Sequence, residues 1–128
     1  MIVIDREAGA KTIRAMIAAA KQCIAQRRPI VIFPEGTRQK LGAPTDYKPG
    51  VAALYAALDV PCVPFAHNSG LYWPRRGLLR KPGKIIVEAL PAIPAGLKRV
   101  EFMAELERRI EEATARLLAE GGFRKASA

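Results

Sequence analysis

The organisation of this chain is set by residues 30–38, which read IVIFPEGTR. The first four are β-branched or aromatic, and such a run predicts a short buried strand. The strand should end at Pro34, because proline cannot donate to a sheet ladder, and Gly36 then permits a tight turn. In α/β proteins, ligands bind beyond the carboxyl ends of the strands. The stretch therefore predicts a site at a strand end, with a plain connecting turn as the alternative.

Several basic side chains could converge on one anion at this site. Arg6 follows an apolar run at 2–4 that predicts a first strand, and Arg38 follows the second strand. If the two strands are adjacent and parallel, both guanidinium groups emerge at one sheet edge, where their planar forks suit a phosphate. Gly36 and Thr37 can add backbone and hydroxyl donors, and Lys48 precedes a predicted helix start. The alternative is a set of unrelated surface bases.

Glu35 and His67 are the other candidates for a chemical role. Glu35 is expected to orient a basic group or accept a substrate hydroxyl, and a structural role with loop amides is equally compatible. His67 is the only histidine and precedes Asn-Ser-Gly, but the sequence has no Gly-x-Ser-x-Gly elbow. It is therefore predicted to be a hydrogen-bonded structural residue at a strand end. One histidine and two isolated cysteines do not predict a metal site.

The composition indicates one domain with an affinity for anions. The 128 residues are half hydrophobic, and 21 Lys and Arg against 12 Asp and Glu give a formal charge of +9. This balance favours phosphorylated metabolites, nucleic acid or an acidic membrane surface. Cys23 and Cys62 lie far apart, which favours free buried thiols in a reducing compartment, with a disulfide as the minor alternative. We expect no leader peptide and no membrane span.

The hydrophobic periodicity predicts the order β-α-β-α-β-β-α, an α/β domain with a mixed sheet flanked by helices. Strands are predicted at 2–4, 30–33, 60–66 and 84–90, the third an edge or an irregular strand because of Pro61 and Pro64. Helices are predicted at roughly 10–26, from Pro49 to about residue 58, and over about twenty residues from Val100. Gly121 and its neighbour should end the last helix, so residues 1–122 are predicted to be the ordered core and 123–128 a frayed tail.

The loop at 68–83 joins an aromatic residue to a cluster of bases. Trp73-Pro74 is followed by two arginines, and Arg80 and Lys81 come shortly after, with no acid between them. An aromatic beside bases suits an anionic membrane interface or base stacking. A solvated loop is an equally good interpretation.

Four pieces of the sequence resemble the glycerolipid acyltransferases, whose best-known members are the 1-acylglycerol-3-phosphate acyltransferases. Residues 33–38, FPEGTR, resemble the family's third block, and residues 4–6, IDR, resemble its second. Residues 48–50, KPG, resemble the segment after the third block, and residues 60–70, VPCVPFAHNSG, resemble the fourth. Four pieces in the right order are far more specific than one motif.

The resemblance implies the roles of several residues. Arg6, Glu35, Gly36 and Arg38 would bind the glycerol-3-phosphate portion, and Pro64 would lie on the acyl-donor side. Acyl-CoA or acyl carrier protein would be the donor, with no separate cofactor and no metal. His67 becomes an ordinary part of the fourth block.

The family's catalytic His-x-x-x-x-Asp block is absent, because residue 72, five after His67, is a tyrosine. In that block the histidine takes the proton of the acceptor hydroxyl and the aspartate orients the histidine. The resemblance therefore implies the C-terminal portion of an acyltransferase-type α/β domain, a single partial domain over 1–128. We expect no catalytic residue in this chain, no activity of the chain alone, and self-association through an exposed sheet edge.

The expected partners are a lysophospholipid and an acyl donor, with peripheral contact to an anionic membrane and no nucleic acid. The expected location is the cytoplasm, at the inner face of the cell membrane. Two alternatives stay open at this stage: a non-catalytic basic module that binds anionic lipid or nucleic acid, and an acyltransferase for another lysolipid acceptor.

Overall fold

A computed structural model describes residues 9–36, 39–74 and 78–123 of the chain. In these ranges it has three α-helices, α1 (Gly9–Ala25), α2 (Pro49–Leu58) and α3 (Arg99–Glu120), and two strands, β1 (Phe65–His67) and β2 (Val87–Ala89). A single 3₁₀ turn, Ser69–Leu71, follows β1. The architecture agrees with a fragment of an α/β domain. The sheet of the described residues is one antiparallel pair, and the larger mixed sheet is not seen there.

The three predicted helices are confirmed, with their limits set by local chemistry. Pro49 occupies the start of α2, where its missing N–H costs no hydrogen bond. Asp59 ends α2 in the left-handed conformation, with φ of 50°, and its N–H donates to Tyr55 O at 3.3 Å. After α3, Gly122 has φ of 91°, a conformation that glycine adopts without steric cost.

Three small apolar clusters hold the elements together: α1 packs on α2, α2 packs on α3, and α3 packs on the sheet. Met16 and Ala20 of α1 are buried against Leu54 of α2. On the other side of α2, the ring of Tyr55 stacks on Phe102 of α3, with centroids 3.7 Å apart and planes 3° from parallel. α3 then covers the inner face of the sheet. The buried residues of the central cluster are Val51, Ala52, Tyr55, Ile93, Phe102 and Leu106.

The two-stranded sheet is short and irregular, as the prolines predict. Ala66 pairs with Glu88 at its centre, and a separate bridge joins Cys62 to Ile93. Ile86 and Leu90 pack inward against α3. Ile85, Val87 and Ala89 are exposed, because they point to the face of the strand that α3 does not cover.

The buried strand predicted at 30–33 is not present in this structure. No strand is formed there, and the side chains of Val31 and Phe33 are 80% and 73% exposed. A strand needs a hydrogen-bonded neighbour, and the described residues supply none to this segment. The first predicted strand, 2–4, lies outside the described residues, as do residues 124–128 of the predicted tail. Phe123 is held by its N–H, which donates to Leu118 O at 2.9 Å.

Candidate functional site

A hydrogen-bonded turn forms where the sequence predicts the site. The N–H of Gly36 donates to the carbonyl oxygen of Phe33 at 3.0 Å, which closes a four-residue turn. Pro34 is its second residue, where a fixed φ near −65° favours the turn. Gly36 has φ of +68°, which a residue with a side chain adopts only under strain. The turn thereby holds Glu35 at its third position.

The turn is fastened to the beginning of α2. The N–H of Lys48 donates to the carbonyl oxygen of Pro34 at 2.8 Å. A Cβ placed on Gly36 would lie 3.7 Å from Cγ of Lys48, so the Lys48 side chain lies beside Gly36. Lys48 is the N-cap residue of α2, in an extended conformation that leads the chain into the helix. The structure therefore brings Glu35, Gly36 and Lys48 together.

The beginning of α2 itself offers positive charge to an anion. The first turn of the helix contains no acidic residue, and the N-cap side chain makes no capping hydrogen bond. The free N–H groups of a helix N-terminus favour anions, and the Lys48 ammonium adds a full positive charge beside them. That ammonium forms an exposed ion pair with Asp46. An exposed pair of this kind contributes little stability, so an incoming anion can exchange with the carboxylate at low cost.

The opposite side of the turn is acidic. Glu35 is half-buried, and its pKa is raised, first by loss of solvent and then by the charges of Glu111 and Asp46. Burial and neighbouring carboxylates both disfavour the charged form of a carboxyl group. Such a group attracts a cation or donates a proton. The arrangement thus favours Glu35 as a partner for a basic group.

Four residues that sequence reasoning missed hold the loop between the turn and α2 in place. The Tyr47 hydroxyl donates to Glu111 Oε1 of α3 at 2.9 Å, and the Thr45 hydroxyl donates to Glu107. Burial raises the pKa of Tyr47 well above its usual range, and the hydrogen bond and charge of Glu111 add to this. The only signal in the sequence is that Glu107 and Glu111 are four residues apart, on one face of a helix.

The remaining predicted site residues are elsewhere or outside the described ranges. Pro64 is buried immediately before β1, and its carbonyl oxygen accepts a hydrogen bond from the N–H of Leu90 at 2.9 Å. It therefore lies on the sheet, on a different element from the turn. Arg6, Thr37 and Arg38 lie outside the described residues, so their roles stay predictions.

His67 ends β1 and makes the kind of local hydrogen bond that was predicted for it. Its Nδ1 lies 2.8 Å from the Ser69 hydroxyl, and both side chains are at the surface. Within the described ranges no carboxylate hydrogen-bonds to this pair, so nothing there orients the ring as a catalytic triad would. Cys23 and Cys62 are half-buried free thiols, and burial raises the pKa of Cys62.

Comparison with known proteins identifies the family to which these features correspond. Residues 1–68 match the family model described as Acyltransferase. A 1-acyl-sn-glycerol-3-phosphate acyltransferase of Pseudomonas aeruginosa is 34% identical over 119 residues, which are 93% of this chain and 46% of that protein. The chain thus spans about half the length of this relative.

Two further relatives carry similar names. The 1-acyl-sn-glycerol-3-phosphate acyltransferase alpha of Mus musculus is 30% identical over 73% of this chain and 33% of its own length. A 1-acyl-sn-glycerol-3-phosphate acyltransferase of Helicobacter pylori is 55% identical over 42 residues, 33% of this chain and 17% of that protein. No solved structure matches the chain.

Proposed function

Because this chain belongs to the acyltransferase family, we propose that it forms part of an enzyme that acylates 1-acylglycerol-3-phosphate in phospholipid biosynthesis. The acyl donor in this proposal is acyl-CoA or acyl carrier protein. The proposal concerns a longer protein, since the chain spans 46% of the Pseudomonas relative. The observation that carries it is the turn at 33–36, which is hydrogen-bonded to Lys48 at the beginning of α2.

The turn and the helix start are suited to hold the phosphate of the acceptor. The Lys48 ammonium and the N-terminus of α2 lie beside Gly36 in one small region. Arg6 and Arg38 are proposed to add two guanidinium groups, each able to make two parallel hydrogen bonds to phosphate oxygens. Glu35, whose pKa is raised in the described structure, would gain from a neighbouring guanidinium and would orient it. Thr37 would add a hydroxyl donor, and Pro64 would shape the acyl-donor side.

The acyl transfer itself needs a base that takes the proton of the acceptor hydroxyl. In this step the hydroxyl oxygen forms a bond to the thioester carbonyl carbon, the carbon–sulfur bond breaks, and the thiolate leaves. The sequence contains no His-x-x-x-x-Asp block, and His67 is hydrogen-bonded to Ser69 with no orienting carboxylate among the described residues. The proposal therefore assigns binding to this chain, and assigns no proton transfer to it.

We extend the proposal to the mixed sheet that the sequence predicts and the described residues do not form. Val31 and Phe33 are largely exposed here, and Val63, Phe65, Ile85 and Val87 are exposed on or beside the outer face of the short sheet. Exposed apolar surface and an unpaired strand segment favour a covering element. In the longer enzyme, further strands would pair with residues 30–33.

Binding of the water-soluble head group tests the proposal directly. We expect glycerol 3-phosphate to bind the chain in a calorimetric or NMR titration, and glycerol not to bind. Arg6→Ala and Arg38→Ala should each weaken binding about tenfold or more, as loss of a charge-assisted hydrogen bond does. Lys48→Gln should weaken it less, because the helix N-terminus remains.

The matched control is Lys21→Gln, an exposed lysine on α1 that should leave binding unchanged. Equal weakening of glycerol 3-phosphate binding by Lys21→Gln and Arg38→Ala would show diffuse electrostatic binding, and would refute the phosphate site. Acyl transfer is measured in the same preparations, as thiol release from acyl-CoA with 1-acylglycerol-3-phosphate. Turnover by the 128-residue chain that His67→Ala abolishes would refute the assignment of binding alone.

A further inference from the structure

The segment that connects β1 to β2, which we call the arm, is held in place by hydrogen bonds where it leaves the sheet. Asn68 is 2% exposed, and its side-chain oxygen accepts a hydrogen bond from the N–H of Ile86 at 2.8 Å. Farther out, the N–H of Lys81 donates to the carbonyl oxygen of Tyr72 at 2.9 Å. Gly83 lies directly against the Tyr72 ring, since a Cβ there would be 1.9 Å from the ring. The two sides of the arm are thus held together at its base by Asn68 and Ile86, and farther out by the contacts of Tyr72.

The outer end of this arm combines exposed apolar side chains with bases. Leu78 is fully exposed, Leu79 is 82% exposed and Trp73 is 48% exposed. The guanidinium carbon of Arg80 lies 4.1 Å from the centroid of the Trp73 ring, and the neighbouring Lys81 is exposed. We call these five residues the basic-apolar patch. Two adjacent leucines with so little of their surface covered cost free energy in water, which indicates an apolar environment for them in use.

We propose that the basic-apolar patch docks the protein on an anionic lipid bilayer, with Leu78 and Leu79 entering the acyl boundary. Trp73 then lies at the level of the head groups, where its ring is both apolar and polar. Arg80 and Lys81 pair with lipid phosphates. The charge of this region supports an anionic bilayer as its partner, because residues 60–87 contain no Asp or Glu in a chain of net charge +9.

A bilayer explains the patch better than a nucleic acid does. Base stacking requires an open aromatic face, and Arg80 covers one of the two faces of the Trp73 ring. Phosphate contacts would use the bases and leave both leucines in water. A bilayer accommodates the leucines and the charges together. The docking is independent of acyl transfer, and it goes beyond the phosphate site at the turn.

Trp73 makes the test direct, because it is the only tryptophan of the chain. Its emission should shift to shorter wavelength when phosphatidylcholine vesicles containing phosphatidylglycerol are added, and brominated lipids should quench it. Vesicle flotation gives the partition coefficient of the whole chain. Leu78→Ser/Leu79→Ser should lower this coefficient about tenfold or more, since each buried leucine is strongly stabilising. Arg80→Gln and Lys81→Gln should each lower it about fivefold.

Two matched controls distinguish binding through the basic-apolar patch from non-specific binding through exposed apolar side chains or net charge. Val100→Ser removes an equally exposed apolar side chain from α3, and Lys11→Gln/Lys21→Gln removes two bases from α1. Both should leave the partition coefficient nearly unchanged, and circular dichroism should show all variants folded. Absence of any Trp73 shift with anionic vesicles would overturn the proposal. So would equal losses in patch and control variants, or a shift produced by single-stranded oligonucleotides alone.

Discussion

The hydrogen bond between Tyr47 and Glu111 gives the sharpest test of how the candidate site is held. Replacing Tyr47 with Phe keeps the ring, which packs against the central cluster, and removes only the hydroxyl. A hydrogen bond to a charged group contributes about 1.5–3 kcal/mol, and the half-exposed position reduces this to about 1–2 kcal/mol. With a typical slope for urea, the unfolding midpoint should fall by about 0.5–1 M.

Glu111→Gln should cost less than Tyr47→Phe, about 0–1 kcal/mol. The glutamine retains an oxygen that can accept from Tyr47, and it removes a negative charge that raises the pKa of Glu35. Glu111→Ala removes the acceptor altogether, so its double mutant with Tyr47→Phe gives the coupling energy of the pair, expected to be about 1 kcal/mol. Tyr72→Phe is the control and should change stability by less than about 0.5 kcal/mol, since no hydrogen bond of its hydroxyl is seen in the described ranges.

Two results would refute this reasoning. A coupling energy below about 0.3 kcal/mol would mean that the Tyr47 hydroxyl and Glu111 do not interact in solution. A larger loss from Glu111→Gln than from Tyr47→Phe would mean that Glu111 does not repel Glu35, so that the acidic side of the turn does not exist as described. Urea denaturation at neutral pH, followed by circular dichroism, measures the wild type and all of these variants.

The two remaining predictions concern pH. Because the folded protein raises the pKa of Glu35, the stability that this group contributes is present below its unfolded pKa, near 4.5, and is lost as the pH rises through the folded value. Glu35→Gln should therefore raise the melting temperature at neutral pH and leave it unchanged at pH of about 4. As a control, Glu101→Gln in the first turn of α3 should lower the melting temperature slightly at neutral pH. Equal melting temperatures of Glu35→Gln and wild type at neutral pH would contradict the prediction. For Tyr47, the raised pKa means that stability is retained below pH of about 10 and falls above it. In an alkaline absorbance titration of the folded protein, Tyr47→Phe should remove a phenol that ionises later than a free tyrosine, and loss of an ordinary tyrosine instead would refute the assignment.

Local chemistry made the helices and the turn predictable from sequence. Pro49 marked the beginning of α2, the apolar periodicity from Val100 predicted α3, and Pro34 with Gly36 identified the turn. Each of these depends on residues within one or two helical turns of each other. The segment at 30–33 shows the limit of such reasoning. Its composition is that of a buried strand, yet burial depends on a neighbour that composition does not supply.

The candidate site depends on a part of the chain that its own motif does not reveal. The family match covers residues 1–68, but the loop that leads from the turn to Lys48 is held by Glu107 and Glu111 of α3. A contact across about sixty residues leaves no pattern in one sequence, because many surface glutamates share the same spacing. The turn, α2 and α3 therefore form one structural unit. Changes in the last helix should alter phosphate binding even though α3 supplies none of the predicted ligands, and the Tyr47–Glu111 cycle, repeated with glycerol 3-phosphate present, measures that dependence.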